Sequence, residues 1–311
     1  MLCDFSRGEV VRAGLLREDA GSVAYGKFHA ESLGAFMAGA TEFLNSHGYV
    51  APAAVAISAP GWERGGIQHM PNHGFHLDRD YLRKAFGVRR LHIVNTGLAR
   101  AMSVPKLGPD GYRILFGGEV DPDKVRCIVG AGMGLGMASI VPDESGRWCT
   151  FPGAGGHSDL AATSDEQFVV LKALADKFGH VSRERVLSLG GLGEIWMAIA
   201  ADISGPAQSP GAVEIVRAAA TGDDLAVRAV RMCTEWLAAT AGDVALIMGA
   251  RGGVYLIGEL IDLLKTELLS SRFRECFTNK GRLSEYMRDV PVCLIEAEKC
   301  ELIGLSALFD A

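Results

Sequence analysis

The chain is 311 residues long, carries a formal net charge of −6, and is 49% hydrophobic and 22% charged. That length suits two domains, and the acidic balance argues against a nucleic-acid binder, which needs a basic stripe. There is no run of about 18 apolar residues to suggest a membrane span, and MLCDFSRGEV lacks the basic and apolar regions of a signal peptide. Seven scattered cysteines without a CxxC pair point to a reducing, cytoplasmic setting.

Residues 1–13 read as the tail of a strand, a turn at Arg7-Gly8-Glu9 and the start of a second strand. Residues 31–46 place Leu33, Phe36, Met37, Ala40, Phe43 and Leu44 at helical spacing, with a stop between Asn45 and Gly48. Residues 53–58 are short and apolar enough for a buried parallel strand, and residues 78–86 predict a helix capped at or beside Asp78. Another buried strand follows at 91–94. It delivers Asn95-Thr96-Gly97 to its carboxyl end, where open α/β sheets bind ligands. A helix over 98–104 stops at Pro105, and the turn-rich stretch 106–124 marks a domain junction near Lys106.

The stretch VRCIVGAGMGLGMASI, residues 125–140, organises the rest. An apolar run breaks into Gly130, Gly132, Gly134 and Gly136 and then resumes, which predicts strand, glycine turn, strand. Backbone N–H groups pointing into such a turn form a nest for phosphate, and a glycine-rich hairpin with no ligand fits the residues as well. It is not a dinucleotide fingerprint, because no long amphipathic helix opens directly after the glycines. FPGAGGH at 151–157 is a second glycine-rich loop, and Ser164 with Gln167 has capping-box spacing for a helix reaching about residue 177. Helices are predicted over 183–187, 192–203, 210–220, 223–248, 261–271, 272–277 and 301–309, and strands over 253–257 and 290–295. The first of these strands ends at Gly258-Glu259. No internal repeat is visible.

Four segments, VNTGLARAM, FPGAGGH, GHVSRERVLSLGGL and FTNKGRLSEYMRDVPVCLI, closely resemble the bacterial glucokinase family, ATP-dependent hexokinases of the actin-like ATPase superfamily. The resemblance runs over essentially the whole chain in the right order. It implies an α/β, two-domain actin-like ATPase (ribonuclease H-like) fold with a cleft between the domains. Residues 1–106 plus 298–311 would form a small α/β domain lacking its N-terminal strand, and residues 107–297 a large one. It further implies a homodimer that uses ATP and Mg²⁺ to phosphorylate glucose, or another hexose, to glucose 6-phosphate.

Within that resemblance, Asn95, His157 and Glu184 match sugar-binding positions, and Gly130, Gly132, Met133, Gly134 and Gly258 match nucleotide-binding ones; no metal ligand is assigned. The family follows its asparagine with an aspartate that takes the proton of the sugar hydroxyl, and here that position is Thr96, an alcohol without useful basicity near neutrality. Met133 replaces a threonine between glycines, Ala154 replaces a glutamate of the sugar loop, and Glu259 replaces the second of two adjacent glycines in the adenosine-side loop, where a carboxylate is expected to crowd or repel nucleotide. The DxGGTxxR phosphate loop that opens family members is absent, and the chain is expected to begin after it. Missing its opening strand, the sheet would present an exposed edge and invite self-association. The substitutions predict weak or lost phosphorylation. The alternatives are a non-catalytic sugar- or partner-binding regulator, a pseudoenzyme, or a chain that begins downstream of the family's start.

In isolation, His157 is equally a turn cap, Glu184 a solvated helix charge, and Asn95 a group that satisfies backbone at a strand end.

Overall fold

The computed structural model describes residues 1–17, 21–71, 73–108, 110–205 and 208–309. The chain divides into two compact units, Met1–Pro109 with Ala297–Ala311, and Asp110–Glu296. Among the described residues no helix is long and apolar enough to cross a membrane.

The first unit is built on β1 (Leu2–Arg7), β2 (Val10–Arg17), β3 (Gly21–His29), α1 (Leu33–Ser46) and β4 (Ala54–Ala59). A small sheet of β5 (Trp62–Arg64), β6 (Ile67–His69) and β7 (His76–Asp78) follows, then α2 (Arg79–Ala85), β8 (Arg90–Asn95) and α3 (Thr96–Ser103). The main sheet has the order β3-β2-β1-β4-β8. Its first three strands form an antiparallel meander, and β1, β4 and β8 run parallel. The first strand is therefore not the exposed edge that was expected. Leu2–Arg7 is itself the central strand, hydrogen-bonded on both sides, and the edges of the sheet are β3 and β8. The edge predicted from a lost strand does not exist. What looked like a strand tail is short because its hydrogen-bonded length is only 6 residues.

Polar side chains start the helices as the sequence suggests. Ser32 caps α1 by accepting from the Ala35 N–H, and Asp78 caps α2 by accepting from the Asp80 and Tyr81 N–H groups. These contacts satisfy amides that a helix start leaves without partners. One face of the sheet packs Phe5, Val11 and Ile57 against Phe36, Phe43 and Leu82. The other packs Leu2 and Ala56 against Ala99 of α3 and Leu302 and Leu305 of the C-terminal helix, Cys300–Ser306. The last two helices approach so closely that a Cβ on Gly304 would lie 1.6 Å from the Ala99 carbonyl oxygen. Gly304→Ala is accordingly expected to cost about 1–3 kcal/mol by overpacking, read as a lowered urea midpoint; an unchanged midpoint would show that the helices separate freely.

The second unit contains β9 (Tyr112–Phe116), β10 (Arg126–Ala131), β11 (Leu135–Pro142), β12 (Trp148–Gly153), α4 (Asp165–Phe178), α5 (Leu189–Ser204), α6 (Ala212–Ala220) and α7 (Asp224–Met248). It closes with β13 (Val254–Ile257), α8 (Glu259–Leu263), α9 (Lys265–Leu268), α10 (Ser271–Thr278), α11 (Ser284–Arg288) and β14 (Val292–Ile295). The sheet order is β12-β11-β10-β13-β14-β9. The first five strands repeat the plan of the first unit, an antiparallel three-strand meander continued by parallel strands. A structural repeat is thus present where the sequence shows none, because the plan is set by strand pairing and not by residue identity. Helix α7 lies in the core of this unit, with Cys233, Trp236, Leu237 and Ala241 buried.

Three local expectations change. Residues 106–124 contain the edge strand β9, antiparallel to β14. Residues 62–78 hold the small antiparallel sheet. The predicted helix over 183–187 is only a 3₁₀ turn, Arg183–Arg185.

Candidate functional site

In the first unit the parallel pairing of β4 with β8 sets Ala59 beside Asn95. Asn95 then caps α3: its Oδ1 accepts from the Gly97 N–H at 2.8 Å while its Nδ2 donates to the Gly61 carbonyl at 2.9 Å. Each end of the amide is engaged once, which leaves one N–H and one lone pair for a ligand. Thr96 is the first residue of α3 and 8% exposed, and its hydroxyl accepts from Ser58 Oγ at 3.4 Å. Ser58 is itself fully buried and lies opposite Asp4 in the sheet. Residue 96 thus presents an alcohol bonded to another alcohol.

A buried charge cluster, not visible in the sequence, underlies this end of the sheet. Arg12 donates from Nε and Nη2 to Asp4 Oδ2 at 2.9 and 2.6 Å, and its Nη2 also reaches Glu301 of the C-terminal helix. Arg100 of α3 donates from Nε to Glu301 Oε1 at 2.8 Å, and Ser6 donates to Asp4 Oδ2 at 2.8 Å. All four charged residues are less than a tenth exposed. Burial alone would raise Glu301, but the Arg100 and Arg12 guanidiniums outweigh it and hold the carboxyl at about 2. Asp4 goes the other way, raised by burial and by the Glu301 charge beside it.

Asp4 and Arg12 stand eight positions apart, one more than the aspartate and arginine of DxGGTxxR. The intervening Ser6, Arg7, Gly8 and Glu9 replace the Gly-Gly-Thr, and the ladder shifts register between Asp4 and Arg7. The β1–β2 turn carries no Gly-Gly-Thr between Asp4 and Arg12.

In the second unit, β10 and β11 pair from Arg126↔Ile140 to Ala131↔Leu135, with Gly130 opposite Gly136, so the glycine stretch is a tight hairpin. Gly132, Met133 and Gly134 form its tip, and Met133 is 59% exposed. The Gly132 N–H is closed onto the Gly134 carbonyl at 2.9 Å. The Leu135 N–H donates to Glu184 Oε2 at 2.8 Å, and a Cβ on Gly134 would lie 2.6 Å from that oxygen. On the other side, a Cβ on Gly132 would lie 2.1 Å from Glu259 Oε2. Gly258 precedes Glu259 with φ 121° and ψ 170°, a conformation open essentially to glycine alone, and a Cβ there would meet the Ala131 carbonyl at 2.2 Å. Two carboxylates thus flank the turn.

His157 closes the second glycine-rich loop, exposed, with Nδ1 3.9 Å from Glu184 Oε1. The structure therefore joins His157, Glu184, the Gly130–Gly134 turn and Gly258 in one unit, and Asn95 and Thr96 in the other. Ala154, exposed beside His157, offers no polar group. Among the described residues no three His, Cys, Asp or Glu side chains gather at metal-binding spacing.

Two α/β units that repeat one sheet plan, each with loop residues at strand ends, define an actin-like ATPase fold. Residues 14–311 match the family model described as Glucokinase. A glucokinase of Pseudomonas paraeruginosa is 34% identical over 252 residues, covering 81% of this chain and 74% of that protein. A glucokinase of Cronobacter sakazakii is 33% identical over 310 residues, 98% of this chain and 91% of that one. The crystal structure of a glucokinase from an Antarctic psychrotroph superposes with a TM-score of 0.86 at 28% identity, covering 99% of this chain and 97% of that one. The chain belongs to the glucokinase family.

Proposed function

We propose that this chain binds glucose, or a closely related hexose, and transfers phosphate from ATP to it at least 100-fold more slowly than a family member with an aspartate base. The observation that carries the reading is Thr96, whose hydroxyl sits at the base position bonded to Ser58. Catalysis of phosphoryl transfer rests on positioning, charge stabilisation and an acceptor for the hydroxyl proton. On the sugar side the chain retains polar groups: the remaining lone pair and N–H of Asn95, the exposed ring of His157 and the carboxylate of Glu184. Glu184 is fixed from behind by the Leu135 N–H, leaving its other oxygen facing His157. Retention of Asn95, His157 and Glu184 together with an alcohol at residue 96 favours a second reading, a pseudoenzyme in which hexose binding itself is the output.

Titration calorimetry with glucose tests the first part. Binding that weakens at least tenfold in Glu184→Gln and in His157→Ala supports the assignment; identical affinity in all three proteins removes it. A coupled assay for glucose 6-phosphate tests the second, and turnover at the ordinary kinase rate of about 10 s⁻¹ or more would refute slow transfer.

A further inference from the structure

We propose, resting on the glucokinase-family reading, that Glu259 is a specificity-determining residue that weakens the binding of nucleoside triphosphates at the glycine turn by placing a carboxylate where a phosphoryl group would approach. A phosphate nest works by offering unspent backbone N–H groups to an anion. Here the Gly132 N–H is closed onto the Gly134 carbonyl and the Leu135 N–H is held by Glu184, so an anion at this turn would have to be met by the Met133 and Gly134 N–H groups at its tip. The space over Gly132 is taken by Glu259 Oε2, 2.1 Å from the position a Cβ would occupy. A phosphoryl oxygen must come within about 3 Å of the turn to be bound, and that approach is filled by a carboxylate oxygen.

The Glu259 side chain is placed there by the backbone. Gly258, held at φ 121° against the Ala131 carbonyl, turns β13 into α8 immediately beside the hairpin tip, so the residue after it faces Gly132. Met133, exposed at the tip, adds apolar bulk where a hydroxyl would suit a phosphate. ATP, which the family reaction uses, is therefore held less tightly at its phosphates by these residues than by an open glycine turn. The effect concerns charge and volume at the phosphates and leaves any adenosine contact untouched.

The test is titration calorimetry of the full chain with Mg²⁺–ATP and, separately, with adenosine, on the unaltered protein, Glu259→Gln and Glu259→Gly. The expected result is an ATP affinity at least tenfold higher in both variants, with adenosine affinity within twofold throughout. A gain in Glu259→Gly alone also supports the proposal and assigns the effect to volume. ATP affinity equal within twofold in all three proteins, or an equal gain for adenosine, overturns it. Glucose titration of the same samples reports separately on the sugar reading, so a failure there leaves the ATP comparison intact.

Discussion

Glu301→Gln is expected to destabilise the chain by about 3–5 kcal/mol at pH 7, the usual cost of removing one partner from a buried ion pair. The carboxylate neutralises two guanidiniums, Arg12 and Arg100, that have no exposure to water worth counting. With Glu301 neutral, Asp4 is left as the carboxylate of the cluster for two buried cations, and the C-terminal helix loses its charged link to β2 and α3. Thermal or urea melts read the loss directly. The double change Arg100→Met with Glu301→Gln should cost less than the single one, since it removes one charge of each sign together. A single variant as stable as the parent would show that water solvates the cluster.

The same cluster predicts a pH dependence with a definite sign. A carboxyl held at about 2 in the folded state against an ordinary value of 4.5 contributes stability that is fully present above pH 4.5 and lost as the pH falls toward 2. Asp4, raised by burial, acts in the opposite direction: it favours the fold at low pH, and that contribution fades as the pH climbs above its ordinary 3.8. The Glu301 contribution should dominate the acid limb, so Glu301→Gln should flatten the fall in stability between pH 4.5 and pH 2. An acid limb of unchanged slope would assign it to other carboxylates.

The sequence revealed most where local chemistry decides local structure. Ser32 and Asp78 announce helices through the amides they satisfy, and the apolar spacing of Leu33 to Leu44 announces the buried face of α1. The glycine stretch yields its hairpin because Gly130 and Gly136 meet as a cross-strand pair within seven residues of sequence. Distance along the chain hides the rest. Arg12 and Glu301 lie 289 positions apart, so no window of sequence shows that Asp4 is buried among guanidiniums. Strand β9 escapes notice because it is a half-exposed edge between turn-rich segments, with Ile114 45% exposed. The helix expected at 183–187 fails for a similar reason: the segment is fixed by tertiary bonds, among them Arg183 to Asp243 at 3.0 Å and Glu184 to the Leu135 N–H, and not by its own periodicity. At the site, family resemblance marked Thr96 and Glu259 as departures, and only the folded chain shows what each touches.

Thr96→Asp is expected to raise the rate of glucose phosphorylation by about 10²–10⁴, the contribution of a positioned general base. The position is prepared for a carboxylate. It is the first residue of α3, where an anion is stabilised by the helix start, and α3 carries no acidic residue in its first turn. Ser58 Oγ stands 3.4 Å from the present hydroxyl and could donate to a carboxylate oxygen in its place. Asn95 keeps the cap through Gly97, so the backbone that aims residue 96 does not depend on the substitution. The base and Glu259 act on different quantities, which kinetics separates. Thr96→Asp should raise kcat and leave the KM for ATP where it was, whereas Glu259→Gly should lower that KM and leave kcat unchanged. The double variant should multiply the two gains. A folded, glucose-binding Thr96→Asp protein with no increase in kcat, in either the parent or the Glu259→Gly background, would mean that proton acceptance at residue 96 is not what limits this chain.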